Sequence, residues 1–165
     1  MKSPKTFLLS LFVISSFTVF SQTQVDGIIG GYIDAIGGRD KLTQINSMTI
    51  EGTADVMGSS GDYKTSILNN KGYKMSMTFS GSDITQSVTD TGGWVINPFI
   101  GAQTATVMPK GQYNSLRGNI FIPTPLLNYA NNGYAVKLTG QDVVDGKTVY
   151  KIEATSADSV RTTYY

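Results

Sequence analysis

Tyr73-Lys74-Met75-Ser76-Met77-Thr78-Phe79-Ser80 alternates apolar and polar residues without a break. A period of two marks a half-buried β-strand, and this stretch decides the fold class. The same alternation runs upstream. Met48, Ile50, Gly52, Ala54 and Val56 oppose Thr49, Glu51, Thr53 and Asp55, and Tyr63, Thr65 and Ile67 continue it. Downstream follow Ile84, Gln86 and Val88, then Trp94 and Ile96. The separators are turn chemistry: Gly58-Ser59-Ser60-Gly61-Asp62, Asn69-Asn70-Lys71-Gly72, Ser80-Gly81-Ser82-Asp83 and Asp90-Thr91-Gly92-Gly93. Strands at this spacing predict an antiparallel meander of hairpins with one apolar and one wetted face.

Outward from the meander the pattern changes. Asn97-Pro98-Phe99 ends the run, and residues 112–118 and 125–130 read as short helices. Tyr134, Val136 and Leu138 restart a strand, Asp145-Gly146 marks a hairpin turn, and residues 147–155 and 160–165 read as further strands. On the N-terminal side, Val25, Ile28, Ile29, Tyr32, Ile33 and Ile36 form one apolar stripe at helical spacing. Gly27, Gly30 and Gly31 weaken that helix by about 1 kcal/mol each relative to Ala, so it depends on packing. Gly37-Gly38 terminates it, and residues 39–45 read as a second short helix presenting Leu42 and Ile45. The expected architecture is mainly β with N-terminal helices: one curved antiparallel sheet with the helix across its apolar face. Met75, Met77, Phe79 and Trp94 then either line a hollow or form ordinary core, and an apolar stripe usually just packs.

Composition narrows the chemistry. The 165-residue chain has the length of one ordinary domain. Charged residues are 15% and hydrophobic ones 40%, which argues against disorder. With 13 basic and 12 acidic residues there is no basic excess for nucleic acid. The chain has no His and no Cys. That excludes zinc sites built on those ligands, Ser-His-Asp and Cys-His nucleophiles, disulfides, iron–sulfur clusters and His-ligated haem.

Residues 1–21 read as a secretory signal. Lys2 and Lys5 precede an apolar run at 7–20, and Val19-Phe20-Ser21 is an acceptable cleavage site, so the exported chain is expected to begin at Gln22. A 14-residue run rises about 21 Å as a helix, short of a hydrocarbon core of about 30 Å. No Cys follows the run to carry a lipid. Residues 22–165 are the expected domain.

Other motifs are weak. Phosphate-loop and dinucleotide patterns are absent, and Gly30-Gly31 and Gly37-Gly38 lack the strand that would precede such a loop. No Ser lies three residues before a Lys. Asp142 with Asp145 and Glu51 with Asp55 are carboxylate pairs beside turns or on a polar strand face, where they read as solvated. The calcium-loop pattern is missing. Lys64, Lys71 and Lys74 read as a solvated edge that discourages aggregation.

Three stretches carry a resemblance. They are Tyr32-Ile33-Asp34-Ala35-Ile36-Gly37-Gly38-Arg39-Asp40-Lys41-Leu42 with Ile45, Ser47, Met48, Ile50 and Gly52; Gly93-Trp94-Val95-Ile96-Asn97-Pro98-Phe99; and Pro125-Leu126-Leu127-Asn128-Tyr129 with Gly133-Tyr134, Val136, Leu138, Val144-Asp145-Gly146-Lys147 and Tyr150-Lys151. In this order they resemble outer-membrane lipoprotein-sorting-like proteins of Bacteroidetes-type bacteria, similar to the carriers LolA and LolB. The resemblance implies an unclosed β-barrel with a helical lid over an apolar hollow that shields acyl chains in transfer. It implies no enzyme activity, no cofactor and no metal, a periplasmic location, lipid or lipoprotein acyl chains as cargo, a possible envelope protein partner and transient membrane contact. On this reading Ile50, Val56, Met75, Met77, Phe79, Ile84, Trp94 and Ile96 form the lipid-binding sheet face. Ile29, Tyr32, Ile33 and Ile36 form the lid. Flexible, polarizable Met side chains suit a ligand of variable shape. Arg39 follows the first helix and receives no lid-locking role. Relatives of this kind continue past the point equivalent to Tyr165, so the half-barrel is expected to be incomplete. The alternative reading is a non-catalytic structural or interaction module of the cell envelope with a filled core.

Overall fold

A computed structural model describes residues 16–56 and 58–165. The signal reading falls mainly on residues 1–15, outside the described residues. Helix α1 spans Ser16–Ala35 and α2 spans Arg39–Leu42. The turn between them uses the conformational freedom of glycine, with φ of +132° at Gly37 and +85° at Gly38. The Gly38 N–H returns to the Ile33 carbonyl at 3.0 Å, satisfying an orphan acceptor of the helix end.

Six strands follow: β1 (Ser47–Val56), β2 (Ser59–Leu68), β3 (Gly72–Phe79), β4 (Ser82–Thr89), β5 (Gly93–Asn97) and β6 (Ala102–Val107). They form one antiparallel meander in chain order. A segment of short helices comes next, with α3 at Lys110–Leu116 and 3-10 turns at Arg117–Ile120 and Pro125–Asn128. The chain then forms a separate three-stranded meander of β7 (Tyr134–Val144), β8 (Lys147–Ser156) and β9 (Arg161–Tyr164). The protein is therefore mainly β, with N-terminal helices and open antiparallel sheets. Nearest-neighbour pairing follows from the short polar turns, such as Gly72 and Leu68 closing the β2–β3 hairpin across residues 69–71.

Two expectations are corrected here. The sheets do not close into a barrel. The helical segment between β6 and β7 interrupts strand pairing, so the chain builds two sheets. Nor does α1 lie over the long meander. Its stripe of Val25, Ile29 and Ile33 packs with Leu42, Leu126 and Leu127 onto Val136, Ile152 and Ala154 of β7 and β8. A second core lies on the long meander, where Val88, Val95, Met108 and Ile120 cluster with Tyr73, Tyr113, Leu116 and Phe121 around them. The helical segment ties the two sheets together. The Arg117 Nη1 of this segment meets Asp158 Oδ2 at 2.6 Å, and the rings of Phe121 and Tyr134 meet edge to face at 6.1 Å. The Asn70 N–H donates to the Ile120 carbonyl at 3.0 Å, and the Ile122 N–H donates to Asn69 Oδ1 at the same distance.

Candidate binding site

Paired residues of antiparallel strands share a face, so register decides which side chains meet. Thr65, Met75, Gln86 and Val95 lie in one cross-strand row. Ile67, Tyr73, Val88 and Gly93 lie in the next, and Met77 pairs with Ile84. These residues form the apolar face. Trp94 pairs with Ser87 and Ile96 with Thr85, rows that continue to Lys74 and to Ser76 and Lys64. Trp94 and Ile96 therefore lie on the polar face, which corrects their grouping with the methionines. Trp94 is 44% exposed.

The remaining sheet residues divide by position. Met75, Met77, Phe79 and Ile84 are half-buried on the apolar face, and Ile50, opposite Thr65, is exposed. The Val56 side chain lies outside the described residues. The part of this face nearest Val88 and Val95 is occupied by α3 and the Arg117–Ile120 turn. The approach is close because Gly93 has no Cβ. One placed there would come within 3.1 Å of Met108 Sδ, 3.2 Å of the Ser87 carbonyl oxygen and 3.2 Å of the Tyr113 ring. The Tyr113 hydroxyl donates to the Thr89 and Asp90 carbonyls at 3.2 and 3.0 Å, fixing the plug. The part of the expected hollow next to Val88 and Val95 is thus filled by the chain's own side chains, while Met75, Met77, Phe79 and Ile84 stay partly exposed.

An apolar pocket does exist, on the other sheet. It has a volume of about 380 Å³ and lies between α1 and the three-stranded meander. Ile28, Ile29 and Tyr32 form the helical wall, Leu126 one end, and Ile152 and Tyr164 the floor, with Val149, Tyr150 and Tyr165 at the margin. The expected lid residues thus split. Ile29 and Tyr32 line this pocket, Ile33 is fully buried beside it, and Ile36 is exposed. The C-terminal wall escaped sequence reading. Val136 and Leu138 pair with Ala154 and Ile152, so alternation in both strands was the available signal.

Polar contacts tie α1 and the start of α2 to the segment beside this pocket. The Arg39 guanidinium donates to the Leu127 carbonyl at 2.5 Å and to Asn128 Oδ1 at 2.8 Å. The Tyr129 hydroxyl donates to Asp26 Oδ1 at 2.6 Å and accepts from Gln22 Nε2 at 2.8 Å. The bond to Asp26 holds the Tyr129 pKa above its ordinary 10.0, because the phenol must keep its proton to donate. Burial raises that of Tyr164 on the pocket floor. The lining side chains are apolar apart from the phenols of Tyr32, Tyr150, Tyr164 and Tyr165, so the pocket can hold an apolar group. No group of three or more acidic residues able to hold a metal occurs among the described residues. No helix among them is long and apolar enough to cross a membrane.

No family model matches the chain, and no curated protein matches it. A solved structure of a DUF1329 family protein from Desulfovibrio piger is similar at 15% identity with a TM-score of 0.39. The alignment covers 75% of this chain and 60% of that one, so the chain spans less than two thirds of that protein's length. A likeness at this level carries no argument about function.

Proposed function

We propose that this chain is an exported, non-catalytic interaction module of the cell envelope with a filled core. The supporting observation is the plug. Val88 is fully buried, and Val95, Met108 and Ile120 are each no more than 4% exposed, so part of the apolar sheet face on which the resemblance expects a hollow is packed core. Export rests on the basic start and apolar run of residues 1–21. The lack of His and Cys removes the commonest nucleophile and metal systems.

One observation favours a second reading, an acyl-chain carrier of the LolA/LolB type. The pocket under α1, at about 380 Å³, falls within the range of small-molecule sites. A fluorescent fatty acid titrated into the mature chain separates the two, together with mass spectrometry of gently purified protein. The interaction module shows no saturable probe binding and no co-purified lipid. Stoichiometric lipid, lost on Tyr32→Asp with the fold intact, would replace this reading with the carrier.

A further inference from the structure

We infer that the polar face of the long meander carries a binding site for an acidic polysaccharide, a chain of pyranose rings bearing carboxylates. The site is a shallow trough of about 370 Å³ that crosses strands β1 to β4 near the β2–β3 turn. Strand register gives its walls. Thr49, Ser66, Lys74 and Ser87 form one cross-strand row, and the row carrying Leu68 and Gly72 forms the other. The backbone between the rows is the floor, and its side chains, such as Ile67 and Val88, are buried on the opposite, apolar face. Four strands about 4.8 Å apart make the trough roughly 14 Å long, room for more than one sugar ring.

Trp94 closes the trough at its β5 end. It pairs with Ser87 and so continues the row of Lys74. A Cβ on Gly92 would lie 3.8 Å from Trp94 Cη2, so the indole leans back toward Gly92, whose carbonyl accepts from the Thr89 N–H at 2.8 Å. The ring thus spans the end of the trough among serine and threonine hydroxyls. The core does not use it, since Trp94 belongs to neither buried cluster.

The chemistry selects the occupant. An exposed indole stacks on the C–H face of a pyranose ring, and hydroxyls that both donate and accept match the ring's own hydroxyls. Lys74 forms no ion pair among the described residues, whereas Lys64 in the next row is paired with Glu51 at 2.6 Å. Lys71 and Asp90 in the flanking turns oppose each other in charge, so Lys74 is left to meet a carboxylate. A peptide laid on this face would find the strand N–H and carbonyl groups already used in the ladder. One lysine and one aromatic ring, in a chain with 13 basic and 12 acidic residues, are too little for nucleic acid. The inference goes beyond the proposed module and does not depend on what fills the core or the pocket under α1.

The test titrates mannuronate oligomers into the chain from Gln22 by calorimetry at low salt. Saturable binding is expected, weakened by salt and several-fold tighter than for dextran, a neutral glucan. Trp94→Ala is expected to lose about tenfold or more with an unchanged melt. Lys74→Gln should lose a few-fold, and with it most of the salt dependence. Gly72→Val is expected to abolish binding by filling the trough. A Cβ there meets only the Val88 carbonyl oxygen, at an ordinary 3.5 Å, so the strand accepts it. Ile100→Ser, at the opposite end of the sheet, retains binding. Absence of saturable binding overturns the inference, as does equal affinity for dextran or for an oligothymidylate, or an equal loss in Ile100→Ser. Unchanged binding in Trp94→Ala also overturns it, whatever the other variants do.

Discussion

Replacing Ile33 with Ala tests where the helix belongs. Ile33 is 1% exposed and sits between Leu42, Leu126 and the β7–β8 face. The change deletes three carbons, a transfer loss of about 2.4 kcal/mol at roughly 0.8 kcal/mol per methylene. Incomplete collapse of the surrounding side chains adds about 1 kcal/mol. The better helix propensity of Ala returns about 0.4 kcal/mol. The net cost is about 3 kcal/mol, a large share of a total stability of about 5–15 kcal/mol. Ile36→Ala deletes the same atoms from an exposed position in the turn just past the helix end, and should cost under about 1 kcal/mol. Denaturant melts give the magnitudes, and amide exchange gives the location. Protection should fall in β7 and β8 before β3 and β4, because the α1 stripe packs against Val136, Ile152 and Ala154 of the three-stranded sheet. Loss of protection centred on β3 and β4, or a cost for Ile33→Ala no greater than for Ile36→Ala, would refute this assignment.

Other perturbations probe single contacts. Arg39→Ala removes two charge-assisted bonds to residues 127 and 128 and should cost about 1–2 kcal/mol in a thermal melt, with Arg39→Lys recovering only part of it. Gly61→Ala should destabilise by about 2 kcal/mol or more, because a Cβ there would clash with the Thr78 carbonyl oxygen of β3. The folded state holds the Tyr129 proton more tightly than the unfolded chain. That stabilisation is complete below pH 10.0 and is lost as pH rises through the raised folded value, so melts of Tyr129→Phe should show a shallower alkaline decline than the parent. Trp94, the sole tryptophan, should emit like a partly hydrated indole and be open to acrylamide quenching, whereas blue-shifted, protected emission would place it back on the apolar face.

The meander was legible because its alternation is unambiguous where polar residues separate apolar ones, as in Tyr73 to Ser80. Alternation fails in Trp94-Val95-Ile96, where three apolar residues follow one another and residue type cannot say which face each takes. The parity is set instead by the turn before them, which pairs Gly93 with Val88 and so turns Val95 inward. Strand β6 escaped notice because Ala102-Gln103-Thr104-Ala105-Thr106-Val107 is exposed along nearly its whole length and carries no inward apolar set. The helix was legible as a helix, since its stripe needs only its own spacing. Its destination was not, because periodicity names a buried face without naming what buries it. The partner is fixed by Leu126, Leu127, Val136 and Ile152, about a hundred residues away, and by the clamps from Arg39 and Tyr129. The pocket was missed for the same reason, since its walls come from both ends of the chain.

The pairing of every strand with its neighbour in sequence has a kinetic consequence. Each hairpin closes a short loop, so both meanders can assemble through local contacts at little entropic cost. Helix α1 is the exception. It is synthesised before the long meander, yet the residues that receive it, at 126–154, are synthesised after that meander. Until they appear its apolar stripe has no mate, and its three glycines leave it weak as an isolated helix. Docking of α1 should therefore be the last and slowest folding event, with the nascent chain displaying an unpaired apolar segment at its N-terminal side until then. Refolding followed by a probe on α1 should lag one placed on β3.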